Sequence, residues 1–140
     1  MKNIFIVLVA IMASCLSASC QIKVTEAAKK AFAAKFPNAT NVKWGKENDS
    51  EYEAEFKLNN QPISANFKLD GSWVETETRI AVTDLPAAVS AAVKAKYPGA
   101  LITLAEKTEQ PANKIIYEVA IKVNGKKKSM ELNPDGSLAK

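Results

Sequence analysis

The chain has 140 residues, 19 Lys and Arg against 15 Asp and Glu for a formal charge of +4, and no histidine. The missing histidine removes the commonest general base and transition-metal ligand, and five glycines, scattered mainly in turn-like contexts, do not supply a phosphate-binding loop. Acidic residues interleave with lysines along most of the chain, which points to a mixed, solvated surface and away from a nucleic-acid footprint.

Lys2, the apolar stretch from Ile4 to Met12 and the small-residue run from Ala13 to Cys20 read as a secretory signal over 1–20, too short to span a bilayer permanently. Cys15 and Cys20 both fall within it, so the mature segment 21–140 has no disulfide framework. Small residues before each cysteine also resemble a bacterial lipobox, without the preferred leucine three positions earlier. A soluble product cut near Cys20–Gln21 and a product lipid-anchored through Cys20 both stay open. Either way the expected location is exported, periplasmic or associated with the outer membrane or surface, with membrane contact only through such an anchor.

After a Thr25 cap, Ala28, Phe32 and Phe36 recur every fourth residue and predict a helix that Pro37 stops. Tyr52, Ala54, Phe56 and Leu58 alternate with Glu53, Glu55 and Lys57 as in a half-buried strand. Asn59-Asn60 suits a two-residue hairpin turn, which sets Phe56 opposite Ile63 and Ala54 opposite Ala65. A similar turn at Asp70-Gly71 would set Phe67 opposite Val74 and Lys68 opposite Trp73, placing Trp73 on the polar face with Glu75, Glu77 and Arg79.

The segment Arg79 to Asp84 reads as the end of a strand running into a second helix, with Val89, Val93 and Tyr97 on one stripe and Pro98 as its stop. Tyr117, Val119, Ile121 and Val123 then alternate with polar residues, followed by turns at Asn124-Gly125 and Asp135-Gly136. Lys126-Lys127-Lys128 reads as a solvated hairpin tip or, alternatively, an anion-contacting patch. The two series match at an offset of 61 (Phe36-Pro37 with Tyr97-Pro98) and then 65 (Tyr52 with Tyr117, Asp70-Gly71 with Asp135-Gly136), so four residues, placed at Gln110 to Asn113, are added in the second. The expected architecture is α+β: a tandem repeat, 21–79 and 80–140, of a helix plus an antiparallel β-meander. Together they would form one domain with a single sheet of about eight strands and helices on one face, because one such unit alone buries too little surface to be stable.

The doubled order of helix, Phe/Tyr-Pro-x-Ala, Tyr-Glu strand, Asn-Asn or Asn-Gly turn and Asp-Gly-Ser turn, behind an export signal, resembles the PepSY-like proteins of Bacteroidetes, grouped with the beta-lactamase-inhibitor-protein-like fold. The resemblance covers about 24–140. It implies an eight-stranded sheet with an open face and an exported, non-catalytic protein. The prototype inhibitor's disulfides have no counterpart here, and no motif carries its inhibitory residues across.

No Gly-x-Ser-x-Gly elbow or Ser-x-x-Lys motif is present. Glu53 with Glu55, and Glu75 with Glu77, share a strand face as a carboxylate pair would, but a solvated surface neutralised by Lys57 and Lys68 accounts for them. The expected protein is therefore not an enzyme and takes no cofactor or metal. It is expected to be an exported cell-envelope binding module, with a protein or peptidase inhibitor as one form of it, that holds an unknown exported protein or peptide through the open sheet face. Trp73, Lys68, Glu53, Glu55, Glu75 and Trp44 are the candidate contacts, Trp44 with its side of the sheet undecided. The alternative is a small-molecule carrier, which needs a pocket under the helices or at the junction of the repeats.

Overall fold

The computed structural model describes residues 22–139. The signal reading of 1–20 and the anchor at Cys20 lie outside the described residues. Helix α1 (Glu26–Lys35) leads into β1 (Thr40–Lys46), β2 (Glu51–Leu58), β3 (Gln61–Lys68) and β4 (Trp73–Ile80). A single 3-10 turn, Val82–Asp84, joins β4 to α2 (Ala87–Lys96), which is followed by β5 (Leu101–Gln110), β6 (Lys114–Val123) and β7 (Lys126–Leu132). The strands form one antiparallel sheet in sequential order.

Local chemistry explains these boundaries. The Thr25 hydroxyl accepts from the Ala28 amide at 3.3 Å, filling one of the helix's free N-terminal donors. Asn59, Asn60, Asn124 and Gly125 all have positive φ, as a two-residue turn matched to strand twist requires. The Asn59-Asn60 turn gives the anticipated register, with Phe56 opposite Ile63 and Ala54 opposite Ala65.

The Asp70-Gly71 turn differs from expectation, and the difference moves Trp73. Only Gly71 has positive φ, at 90°. The Gly71 amide donates to the Lys68 carbonyl at 2.9 Å and the Lys68 amide to that of Ser72 at 2.9 Å. Leu69 and Asp70 are therefore the turn centre, and Gly71 is an added left-handed residue. The strands enter one residue out of step, Phe67 pairs with Trp73, and the register returns to the anticipated one at Asn66–Glu75 through a bulge. Trp73 thus shares the side of Phe67, facing the helices, and not the polar face. A Cβ on Gly71 would lie 2.7 Å from the Ala27 carbonyl oxygen of α1, so this turn is pressed onto the helix.

The second meander repeats the arrangement at Asn133–Ser137: the Gly136 amide donates to the Asn133 carbonyl at 2.9 Å, and a Gly136 Cβ would meet the Ala88 carbonyl at 2.6 Å. Where an eighth strand is expected, only a bridge from Leu132 to Leu138 forms, since Leu138 and Ala139 alone follow this turn among the described residues. The sheet has seven strands.

Both helices lie on one side. Phe32 of α1 packs edge-on against Phe56, Trp44 and Phe67 at ring separations of 5.0, 5.3 and 6.0 Å, closing a core with Val24, Ala28, Ala54 and Ala65. Under α2 the core is aliphatic: Leu85, Val89, Val93, Val119, Ile121, Met130 and Leu132. Full burial of each such aliphatic or aromatic side chain contributes about 1.5–3 kcal/mol.

Candidate functional site: the uncovered sheet face

Strand alternation assigns every residue to one face. On the face opposite the helices, the register aligns Lys43, Glu55, Ser64, Glu77, Thr108 and Ile116 across β1 to β6. A neighbouring row runs Arg79, Glu106, Glu118 and Glu131 across β4 to β7, and on the other side lie Glu53, Asn66 and Glu75. The charges that interleave in sequence are sorted in space: in Glu106-Lys107 and Thr108-Glu109, the first of each pair faces away from the helices and the second toward them, where Lys107 binds Glu109 at 2.9 Å.

The middle of this face therefore holds Glu53, Glu55, Glu75, Glu77, Glu106 and Glu118, with Arg79 among them and Glu131 on the edge strand β7. Lys43, Lys57, Lys68, Lys114, Lys122 and Lys127 stand toward its periphery. Among the described residues the one ion pair on this face is Arg79 Nε to Glu106 Oε1 at 3.8 Å. Neither Lys57 nor Lys68 neutralises the glutamates by direct pairing, contrary to the expectation from sequence.

The electrostatic consequence is one-sided. Glu77 is partly buried, and desolvation followed by repulsion from Glu75, Glu106, Glu118 and Glu53 pushes its carboxyl up to about 7. Desolvation, then Glu106 and Glu131, raises that of Glu118. Desolvation, then Glu55 and Glu47, raises that of Glu53. The hydrogen bonds to these carboxylates are few: the Ser64 hydroxyl donates to Glu77 at 3.4 Å and the Gln110 amide to Glu75 at 2.9 Å. A hollow of about 590 Å³ opens beside Glu77, bounded by Glu55, Gln61, Pro62, Ser64, Arg79 and Glu106. No three His, Cys, Asp or Glu side chains among the described residues converge as ligands of one metal ion.

Of the sequence-derived candidates, Glu53, Glu55, Glu75 and Lys68 share this face. Trp73 and Trp44 do not. Trp44 pairs with Ala54 and sits 6.1 Å from the Phe67 ring and 6.4 Å from that of Tyr52, partly buried against the core on the helix side. Trp73 is half-buried, donates from Nε1 to the Thr76 hydroxyl at 3.0 Å, and has the Lys35 ammonium 3.5 Å from its ring centroid. Sequence reasoning missed Glu106, Glu118 and Glu131. The signal that finds them is the same alternation, extended to 101–110 and to the polar positions of 114–132.

On the helix side a smaller cleft of about 360 Å³ lies between the end of α1 and the β5–β6 connection, lined by Lys35, Phe36, Trp73, Gln110, Lys114 and Ile115. Its wall includes Ala112 and Asn113, both at positive φ (60° and 58°), a strained conformation for alanine.

The fold, one antiparallel sheet with two helices on one side, is shared with solved structures. A BLIP-like protein from Bacteroides fragilis is 24% identical, with a TM-score of 0.72 over 85% of each chain. A DUF2874 family protein from Bacteroides uniformis is 22% identical, with a TM-score of 0.76 over 84% of this chain and 88% of its own. A protein from Bacteroides eggerthii described as a "putative periplasmic" protein is 20% identical, with a TM-score of 0.75 over 85% and 88%. At these identities the likeness is one of fold. No curated protein matches the chain. The family described as "Putative beta-lactamase-inhibitor-like, PepSY-like" matches residues 50–140, from the start of β2 through the last turn, and with well over half of its length so covered the chain belongs to the PepSY-like, beta-lactamase-inhibitor-like family.

Proposed function

We propose that this protein is an exported, non-catalytic binding module of the cell envelope that holds a protein or peptide against the uncovered sheet face, as an inhibitor of an exported enzyme would. The observation that carries the reading is the state of that face: partly buried carboxylates with one ion pair among them, Arg79 to Glu106, and no helix covering them among the described residues. Retaining them costs stability, which a folding role does not explain and an interface does. The signal-like residues 1–20 and the periplasmic description of the Bacteroides eggerthii relative support export, with Cys20 as the candidate lipid anchor. We read the two helix-plus-meander halves, 21–79 and 80–140, as copies of one unit joined through β4 and β5, a doubling that widens the bare face.

The test is cross-linking capture from the native envelope fraction with protein 21–140. Ser64→Trp and Asn66→Trp block the face without changing its charge, and Ala33→Trp on exposed α1 is the control. The reading requires that captured partners be lost with the first two and kept with the third. Partners indifferent to all three would contradict it. A second reading, a small-ligand carrier, draws on the cleft beside Trp73 and the strained Ala112. It requires that Trp73 fluorescence respond to an envelope extract of low molecular mass and that Ala112→Gly, which relaxes the wall, weaken that response.

A further inference from the structure

We infer that the segment held on the uncovered face is an extended stretch of protein bearing Lys or Arg at alternate positions, with one cationic side chain seated in the hollow beside Glu77. This rests on the open-face reading above and specifies the chemistry of its partner. The face is an unpartnered sheet surface, and its centre has the charge sign opposite to the chain's formal +4. The acceptors are spread out: Glu77, Glu106, Glu118 and Glu131 come from four successive strands, and Glu53 with Glu55, like Glu75 with Glu77, repeat along one strand. Neighbouring strands are about 4.8 Å apart and alternate residues along a strand about 7 Å apart. That spread is wrong for a single ion and matches the spacing of alternate side chains on an extended peptide. The hollow of about 590 Å³ is large enough to take a lysine or arginine head, and Pro62 at its wall offers apolar contact to the stem. A guanidinium or ammonium there meets Glu55, Glu77 and Glu106 together, relieving repulsion already present in the free protein.

Apart from Arg79, the groups around Glu77 are carboxylates that act in the same direction or are neutral. Glu53 and Glu55 stand on β2, Ser64 and Asn66 on β3, Glu75 and Arg79 on β4, Glu106 and Thr108 on β5, and Glu118 and Ile116 on β6. Arg79 is the exception in sign, and it is engaged with Glu106. Binding of a cationic segment should therefore weaken as the pH falls through the neutral range and Glu77 takes up a proton.

The experiment is an amide NMR titration of protein 21–140 with a short peptide alternating Lys and Ser, against a peptide alternating Glu and Ser and against spermidine. Expected are shifts clustered at Ser64, Glu77, Glu106 and Glu118 with the lysine peptide, an affinity that falls with salt, and a further fall between about pH 8 and about pH 6. The double variant Glu77→Gln with Glu118→Gln should weaken it roughly tenfold, the scale of losing close charge pairs. Glu26→Gln with Asp84→Asn, the same charge change at the start of α1 and in the 3-10 turn before α2 and off the face, should leave it within about twofold. Equal binding of the glutamate peptide, shifts centred on Lys126 to Lys128, or no binding would overturn the inference. Spermidine binding as tightly as the peptide would overturn the assignment to a protein segment. Envelope partners that are lost with Ser64→Trp but indifferent to salt and to the glutamine variants would leave the open-face reading standing and this inference refuted. Partners indifferent to Ser64→Trp would refute the reading itself.

Discussion

The two faces of this sheet are made by the same strands and obey opposite rules. Toward the helices, Ala54, Phe56, Ala65, Phe67, Val119 and Ile121 are at most 3% exposed. On the other side β2, β3, β4 and β6 carry Glu53, Glu55, Asn66, Glu75, Glu77 and Glu118, several of them partly buried. One face is arranged to make the protein stable. The other is less stable than it could be, and in a small domain with a few kcal/mol to spare such a cost marks a surface kept for something else.

The sharpest contrast lies between two substitutions on one strand, β3. Phe67→Ala empties the centre of the aromatic core and should cost about 3–5 kcal/mol in denaturant unfolding, the scale for buried Phe. Ser64→Trp, three residues away on the opposite face, should leave the unfolding midpoint nearly unchanged. A large loss from the second would mean that the uncovered face is also structural.

Next in size are the glycines that press the turns onto the helices. Gly71→Ala and Gly136→Ala each force a residue at positive φ (90° and 84°) and a Cβ within 3 Å of a helix carbonyl. Each should destabilise by about 1–3 kcal/mol, measured by thermal or denaturant unfolding. Equal losses at the two positions would support the reading of the halves as copies of one unit.

Glu77→Gln should act in the other direction. The folded-state carboxyl is raised from its ordinary value of 4.5 to about 7. No penalty therefore exists below about pH 4.5, where both folded and unfolded states are protonated. The penalty grows between those values and is complete above about pH 7, so stability is lost as the pH rises through this window. The variant should gain about 1 kcal/mol at pH 8, after discounting for the solvent that still reaches the side chain, and almost nothing near pH 4. Asp70 and Asp135 work oppositely. Hydrogen bonds from Ser72 and Ser137 hold their carboxyls below the usual range, and the stability they lend is lost in acid as they protonate.

The smallest effect is expected at Lys128, which stands opposite Ile121 on the helix side. Its sequence position matches that of Ile63, which suggests a gain from Lys128→Ile. In the fold Lys128 is exposed, and its ammonium lies 4.9 Å from the Tyr97 ring centroid. The substitution trades a cation–π contact for slight burial and should change stability by less than about 0.5 kcal/mol.

Much of this was legible in the sequence because short-range chemistry decides it. The Asn-Asn and Asn-Gly turns, the Thr25 cap of α1, the stops of both helices and the register of β2 against β3 follow from residues a few positions apart. Trp73 was misplaced because a single positive φ at Gly71 converts a two-residue turn into a turn with a bulge, and one residue of slip reverses the face of a strand's end. The acidic face was obscured because Glu and Lys alternate in the chain. That pattern looks neutral along the sequence, and only pairing the strands shows the charges separating between two faces. Glu106 and Glu118 are distant in sequence from Glu77 and become its neighbours through β5 and β6.

The most direct test of a face kept acidic for a cationic partner is the titration of the Glu77 carboxyl by carbon NMR, in the free protein and with the lysine peptide at saturation. The account predicts a midpoint near 7 in the free protein and a clear fall toward the ordinary carboxylate range on binding, because a bound cation stabilises the charged form. A free-protein midpoint already in the ordinary range, or one that the peptide does not move, would contradict it.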